Sequence, residues 1–72
     1  MTSIDQALLL ELDQHPRSTA EELREYLRGE APLPAIARWL RAHDGWLVVR
    51  EAVDQARWRL SAQGEAFLAA LD

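Results

Sequence analysis

Residues 32–60 read PLPAIARWLRAHDGWLVVREAVDQARWRL, and within this stretch the spacing of apolar residues changes from that of a helix to that of a strand. Leu33, Ile36, Ala37 and Leu40 recur at three- and four-residue intervals, which puts them on one face of a helix reaching about His43. Pro34, Ala35, Arg38, Arg41 and Ala42 are left on the opposite face, with Trp39 at the border. Pro32 or Pro34 suits the first helical turn, where a missing N–H costs nothing. Asp44-Gly45 then ends the helix. Beyond it, alternation expects Leu47 and Val49 on one side of a strand and Trp46, Val48 and Arg50 on the other. On the return strand Ala56, Trp58 and Leu60 oppose Arg57 and Arg59. The pair of strands forms a hairpin with an apolar face and an arginine-bearing face, and Ala52-Val53-Asp54-Gln55 is its expected tip.

Working outward, the residues before this stretch predict two helices. Ser3-Ile4-Asp5-Gln6 has the form of a capping box, in which a hydroxyl and a side-chain amide each satisfy a backbone N–H at a helix start. Ile4, Ala7, Leu8 and Leu12, flanked by Leu9, form the buried stripe of that helix, and Pro16 stops it near His15. Leu10 lies off the stripe, either as part of a thick core face or as a dimer contact. Two overlapping capping boxes, Ser18 with Glu21 and Thr19 with Glu22, start the second helix, which is expected to run to about Arg28. Ala20, Leu23, Tyr26 and Leu27 should face inward, Glu25 and Arg28 should attract each other on the wet side, and Gly29 suits the left-handed residue that closes a helix. After the hairpin, Ser61 caps a last helix to about Leu71, with Phe67, Leu68 and Leu71 inward.

Composition narrows the classes of function. The chain has 72 residues and no Cys, so one small domain is expected, without disulfides or thiolate metal sites. His15 and His43 are solitary, and no metal ligand set is expected. Glu21, Glu22 and Glu25 lie on a water-facing helix beside arginines, where nothing tunes their acidity for catalysis. There is no nucleophile paired with a base and no phosphate-binding glycine loop, so an enzyme is not expected. No apolar run is long enough to span a bilayer, and the N-terminal residues, with Asp5 and Glu11 and no basic residue before Arg17, do not read as a signal peptide. A cytoplasmic location follows as an expectation. The net charge is −4, unevenly spread. Acidic residues dominate before Pro32, whereas from Pro32 to Leu60 Arg38, Arg41, Arg50, Arg57 and Arg59 outnumber Asp44, Glu51 and Asp54. Every basic residue is arginine, which fits bidentate contacts to phosphate or guanine and fits an arginine-biased genome equally well.

Three segments resemble a known family. Arg57-Trp58-Arg59-Leu60-Ser61-Ala62-Gln63-Gly64-Glu65 is similar to the "RL(S/T)xxG" step from wing strand to last helix in bacterial winged-helix regulators of the MarR and PadR type. Ser18-Thr19-Ala20-Glu21-Glu22-Leu23 resembles the opening of their second helix, and Gly45-Trp46-Leu47-Val48 their "G-x-L-V" entry to the wing. The resemblance implies an α+β winged helix over residues 1–72: a three-helix core, a C-terminal β-hairpin wing and a fourth helix, with a short strand at Arg17-Ser18-Thr19 edging the hairpin. It implies a small bacterial or phage transcriptional regulator that binds double-stranded DNA, its third helix in the major groove and its wing on the backbone. Carried over to this chain, Ala35, Arg38 and Arg41 face the groove, Arg38 reading a guanine and Arg41 gripping phosphate. Arg50, Arg57 and Arg59 become backbone contacts of the wing, and Gln55 reaches a groove from the tip. No cofactor is implied. A homodimer is expected, because one such module buries little DNA surface.

A second reading stays open beside it: a winged-helix module that binds a protein partner and no DNA. On the expected strand parity Trp46 and Val48 lie outside next to Arg50, and an exposed tryptophan among arginines is a common contact point between proteins.

Overall fold

The computed structural model describes residues 3–52 and 56–71. Their order is α1 (Ser3–Gln14), α2 (Ala20–Tyr26), α3 (Leu33–His43), β1 (Val48–Ala52), β2 (Ala56–Leu60) and α4 (Ala62–Ala70). The fold is α+β, four helices and a two-stranded antiparallel sheet among the described residues. None of these helices is long and apolar enough to cross a membrane. Of the expected tip, residues 52–55, Ala52 is the last residue of β1 and residues 53–55 lie outside the described residues; Ser3, expected to cap the first helix, is the first residue of α1.

Local chemistry sets the ends of the helices. Of the two overlapping boxes before α2, Thr19 closes one: its Oγ1 accepts from Glu22 N at 3.1 Å, and Glu22 Oε1 accepts from Thr19 N at 2.9 Å. Ser18 does not cap, because its hydroxyl donates to the His15 carbonyl. α2 stops at Tyr26, two residues short of the expected end, because Arg28 as well as Gly29 is left-handed, at φ 56° and 76°. Having left the helix, Arg28 makes no ion pair with Glu25 among the described residues. α3 begins on Pro32 with no side-chain cap, and Pro32 O accepts from both Ala35 N and Ile36 N.

The core is built where these elements meet. Leu8, Leu9 and Leu12 of α1 pack with Leu23 and Leu27 of α2, Ile36 and Leu40 of α3, Val48 and Leu60 of the sheet, and Leu68 of α4. Each such side chain gains about 1.5–3 kcal/mol on leaving water, so α1, which lies against α2, α4 and β2, is central to stability. Trp39, expected at the border, is buried at 7 % exposure, and its indole N–H is satisfied at 2.6 Å by Asp5 Oδ1.

The expected parity of β1 is reversed, for Val48, Val49 and Arg50 alike, and so are the orientations of Tyr26 and Phe67. Val48, assigned to the outer face, is fully buried. The cause is the turn before it: Trp46 N and Leu47 N both donate to His43 O, Gly45 N donates to Val48 O, and Gly45 sits at φ 82°. The strand thus starts at Val48 and not at Trp46, and the turn buries Leu47 independently. Val48 pairs with Leu60 and Arg50 with Trp58, so these four share one face, while Val49 and Glu51 share the other with Arg59 and Arg57. Tyr26 lies at the surface stacked on His15, ring centroids 4.0 Å apart, instead of facing inward. Phe67 is also exposed, leaving Gly64 and Leu68 as the buried residues of α4, with Leu71 half-buried beyond its end.

Two contacts seat the hairpin. Ser18 bridges Trp58 as an antiparallel neighbour, Ser18 N donating to Trp58 O at 3.1 Å and Trp58 N to Ser18 O at 2.8 Å. At the other side, Ser61 N donates to Leu47 O at 3.0 Å and the Ser61 hydroxyl donates to Trp46 O while accepting from Gly64 N. Gly64 lies so close that a Cβ built on it would stand 2.0 Å from Leu47 O. Only hydrogen fits there, which gives the glycine of the Ser61-Ala62-Gln63-Gly64 step a steric reason.

Candidate nucleic-acid interface

α3 presents Pro34, Arg38, Arg41 and Ala42 to solvent, since Ile36, Trp39 and Leu40 occupy its inner face. Arg38 and Arg41 are one turn apart, so their guanidinium groups project from the same side. Ala35, expected among them, is half-buried and offers at most part of its methyl group. Between α3 and the hairpin runs an open cleft of ≈ 610 Å³. Ala37, Leu40, Ala56 and Trp58 give it apolar walls, and Arg41 and Arg50 reach it from the two sides. Glu21, at the start of α2, also lines it.

Arg50 reaches this cleft because its partner in the register is Trp58, on the face turned toward α3. The expectation that grouped Arg50 with Arg57 and Arg59 is corrected here: they lie on opposite faces of the hairpin. Arg38, Arg41 and Arg50 have no ion pair or side-chain hydrogen bond among the described residues.

The other two hairpin arginines are engaged within the chain. Glu51, next to both on the outer face, holds Arg59 Nε at 3.1 Å through one carboxylate oxygen and Arg17 Nε at 3.1 Å through the other. Arg57 Nη1 contacts Glu22 Oε1 at 3.3 Å and donates to Arg17 O at 2.8 Å. Arg17 itself is at φ 65°, an uncommon conformation for a side chain with Cβ. Its carbonyl and its guanidinium are both bonded to the hairpin, which holds it there. Each exposed pair contributes only about 0–1 kcal/mol. The larger effect is on the surface field, where each arginine is met by a carboxylate. Glu22 belongs to this network: the Thr19 backbone N–H, assisted by the Arg57 charge, outweighs partial burial and holds its carboxyl below the ordinary value.

The chain matches no protein-family profile, no curated protein and no solved structure. Its candidate site is therefore defined by geometry. That geometry adds Thr19, Ala37 and Trp58 to the cleft and brings Arg17 into the hairpin network, none of which the sequence reading selected as site residues. The parity of β2 did mark Trp58 as belonging to the apolar face. No local pattern marks Arg17 as the partner of Glu51. Gln55 lies outside the described residues.

A separate surface carries aromatic rings. His43 lies between Trp39 and Trp46, with centroid separations of 4.2 and 5.5 Å, and Trp46 meets Phe67 edge-on at 6.4 Å. Trp46 is 50 % exposed and Phe67 38 %. The expected pair of Trp46 with Val48 is replaced by Trp46 with Phe67.

Proposed function

We propose that this chain is a winged-helix domain that binds double-stranded DNA, in the manner of a small transcription regulator. α3 enters the major groove, Arg38 contacts a base edge, and Arg41 and Arg50 hold phosphates on either side of the cleft between α3 and the hairpin. The observation that carries this reading is the pair Arg41 and Arg50 on one cleft, with Arg38 exposed one turn from Arg41 on α3, none of the three in an ion pair among the described residues. Two further features support it: the order of three helices, hairpin and helix, and the Ser18–Trp58 bridge that sets the hairpin beside the start of α2. In this reading Arg57 and Arg59 are structural, and Glu21 opposes binding from the cleft edge.

Fluorescence anisotropy with random-sequence duplex at two salt concentrations tests it. With phosphate contacts from Arg41 and Arg50, log K should fall with log salt at a slope of about −2. Absence of binding at low salt would sink the proposal, as would binding that is indifferent to Arg38→Ala and Arg41→Ala.

The rival reading, a protein-binding module without DNA contact, draws on a different observation, the exposed Trp46 beside Phe67. A duplex titration that shows nothing, together with retained fold, would favour it.

A further inference from the structure

We infer that α3 reads keto bases: Arg38 takes a guanine, and the Ala42 methyl meets the C5-methyl of a thymine within about two base pairs of it. This rests on the proposed placement of α3 in the major groove and adds what that groove must carry. Four residues of α3 have polar side-chain atoms: Arg38, Trp39, Arg41 and His43. Trp39 is buried, and its indole N–H is taken by Asp5 at 2.6 Å. His43 lies about 140° around the helix from Arg38. There its Nδ1 donates to Trp39 O at 2.7 Å and its ring is stacked between Trp39 and Trp46. Both are occupied away from the outer face, which leaves the two arginines to meet a ligand.

Arg41 lines the cleft opposite Arg50, where the proposed function gives it a phosphate, so hydrogen bonding from α3 to bases falls to Arg38. A guanidinium donates five N–H groups and accepts none. In the major groove guanine offers two acceptors, O6 and N7, that match this fork, whereas cytosine offers an amino donor and adenine one donor beside one acceptor. A donor set against a donor leaves both without a partner once water is expelled, so Arg38 selects guanine and opposes cytosine. Around Arg38, α3 exposes Pro34 and Ala42 and half-exposes Ala35 and Ala37. None of these four has a side-chain oxygen or nitrogen, so no side chain on this face accepts from the amino group of a base. What an exposed alanine methyl recognises is another methyl, and among the four bases thymine alone places one in this groove. Ala42 is the fully exposed alanine, one turn from Arg38 and about 6 Å along the axis, close to two base-pair steps. Glu21, a carboxylate able to accept from an amino group, belongs to α2 and lines the cleft with Ala37 and Arg41, whereas Arg38 and Ala42 do not.

Selection of bound duplexes from a randomised library by the full chain, followed by anisotropy on the enriched site, tests this. The expected site holds a guanine with a thymine one or two positions away. Replacing that guanine by 7-deazaguanine, which removes N7, should weaken binding about tenfold. Replacing the thymine by deoxyuridine, which removes only the methyl, should weaken it about threefold. Arg38→Gln should move the preference at the guanine position to adenine, whose N6 and N7 a glutamine amide matches; the residue is exposed, so far-UV circular dichroism should stay that of the parent. In Ala42→Gly the ratio of affinities for the thymine and uracil duplexes should fall to one, and a ratio taken within one variant is not moved by a weaker helix. Bound duplexes with no shared guanine, indifference to 7-deazaguanine, or a thymine-to-uracil ratio of one in the parent overturn the inference and leave DNA binding standing. An enriched cytosine or adenine whose selection Glu21→Gln abolishes overturns it too, by giving the readout to α2. Failure to retain any duplex at low salt overturns the DNA reading itself and this inference with it.

Discussion

Arg41 and Arg59 are the same residue type, both exposed and both within the stretch of basic excess, yet their surroundings differ. Arg41 borders an open cleft with Arg50 opposite and no carboxylate bonded to it among the described residues, whereas Arg59 is held by Glu51, which also holds Arg17. A count of charges along the chain treats these arginines as equal. What separates them is strand parity: Glu51 falls on the face of the hairpin that carries Arg57 and Arg59, and Arg50 falls on the other. On one face three arginines are thus held by two carboxylates of the same chain, and on the other Arg50 keeps its charge available for an anion.

This contrast breaks most completely if the hairpin is unseated. Gly64→Ala puts a methyl group into Leu47 O, and because the neighbour is backbone, relief requires moving α4 or the turn before β1. The expected cost is about 3 kcal/mol, at the upper end for overpacking, read as a lower denaturant midpoint; an unchanged midpoint would show that the close approach does not exist in solution. Next comes the open face. Arg38→Ala should weaken duplex binding by about 1–3 kcal/mol and Arg41→Ala should flatten the salt dependence by about one unit of slope, while Arg59→Ala should leave both nearly unchanged. Equal losses from Arg38→Ala and Arg59→Ala would erase the distinction between the two faces.

Smaller effects sharpen the same contrast. Glu51→Gln releases Arg17 and Arg59 together, and low-salt affinity for random duplex should rise several-fold as more cation becomes available; a fall would mean that the hairpin must stay tied down to bind. Glu22 provides the mildest probe. Its carboxyl is held below its ordinary pKa of 4.5, so its contribution to stability is complete above that value and is lost as pH falls through the lower folded-state pKa. Thermal midpoints of the parent and Glu22→Gln should therefore differ above pH 4.5 and converge in stronger acid. Parallel curves throughout would remove Glu22 from the network.

How far the sequence could be read depended on the range of the interaction involved. The cap by Thr19 and Glu22, the left-handed Gly29, the turn at Asp44-Gly45, and the alternation of Trp58 with Arg59 depend on neighbours within a few residues, and these were legible. The parity of β1 was not, because it hinges on where the turn after His43 releases the chain. A start at Val48 instead of Trp46 lets two consecutive residues, Leu47 and Val48, both be buried. Tyr26 and Phe67 were misplaced for a related reason: each fits an inward stripe on a helical wheel, but smaller or better placed residues fill the available core. The pairs that decide the candidate site, Glu51 with Arg17 and Arg57 with Glu22, join residues far apart in the chain. They become visible only once Ser18 is set beside Trp58.

That bridge also bears on how the molecule assembles. Ser18 and Trp58 exchange both backbone hydrogen bonds across a loop that contains all of α2, α3 and β1. Closing so long a loop is entropically unfavourable until the helices inside it have shortened its path. The helices should therefore gather first and the hairpin join last, so that mutations at the bridge speed unfolding more than they slow folding. In native-state hydrogen exchange, the amides of Ser18 and Trp58 should open together, ahead of those in the middle of α1.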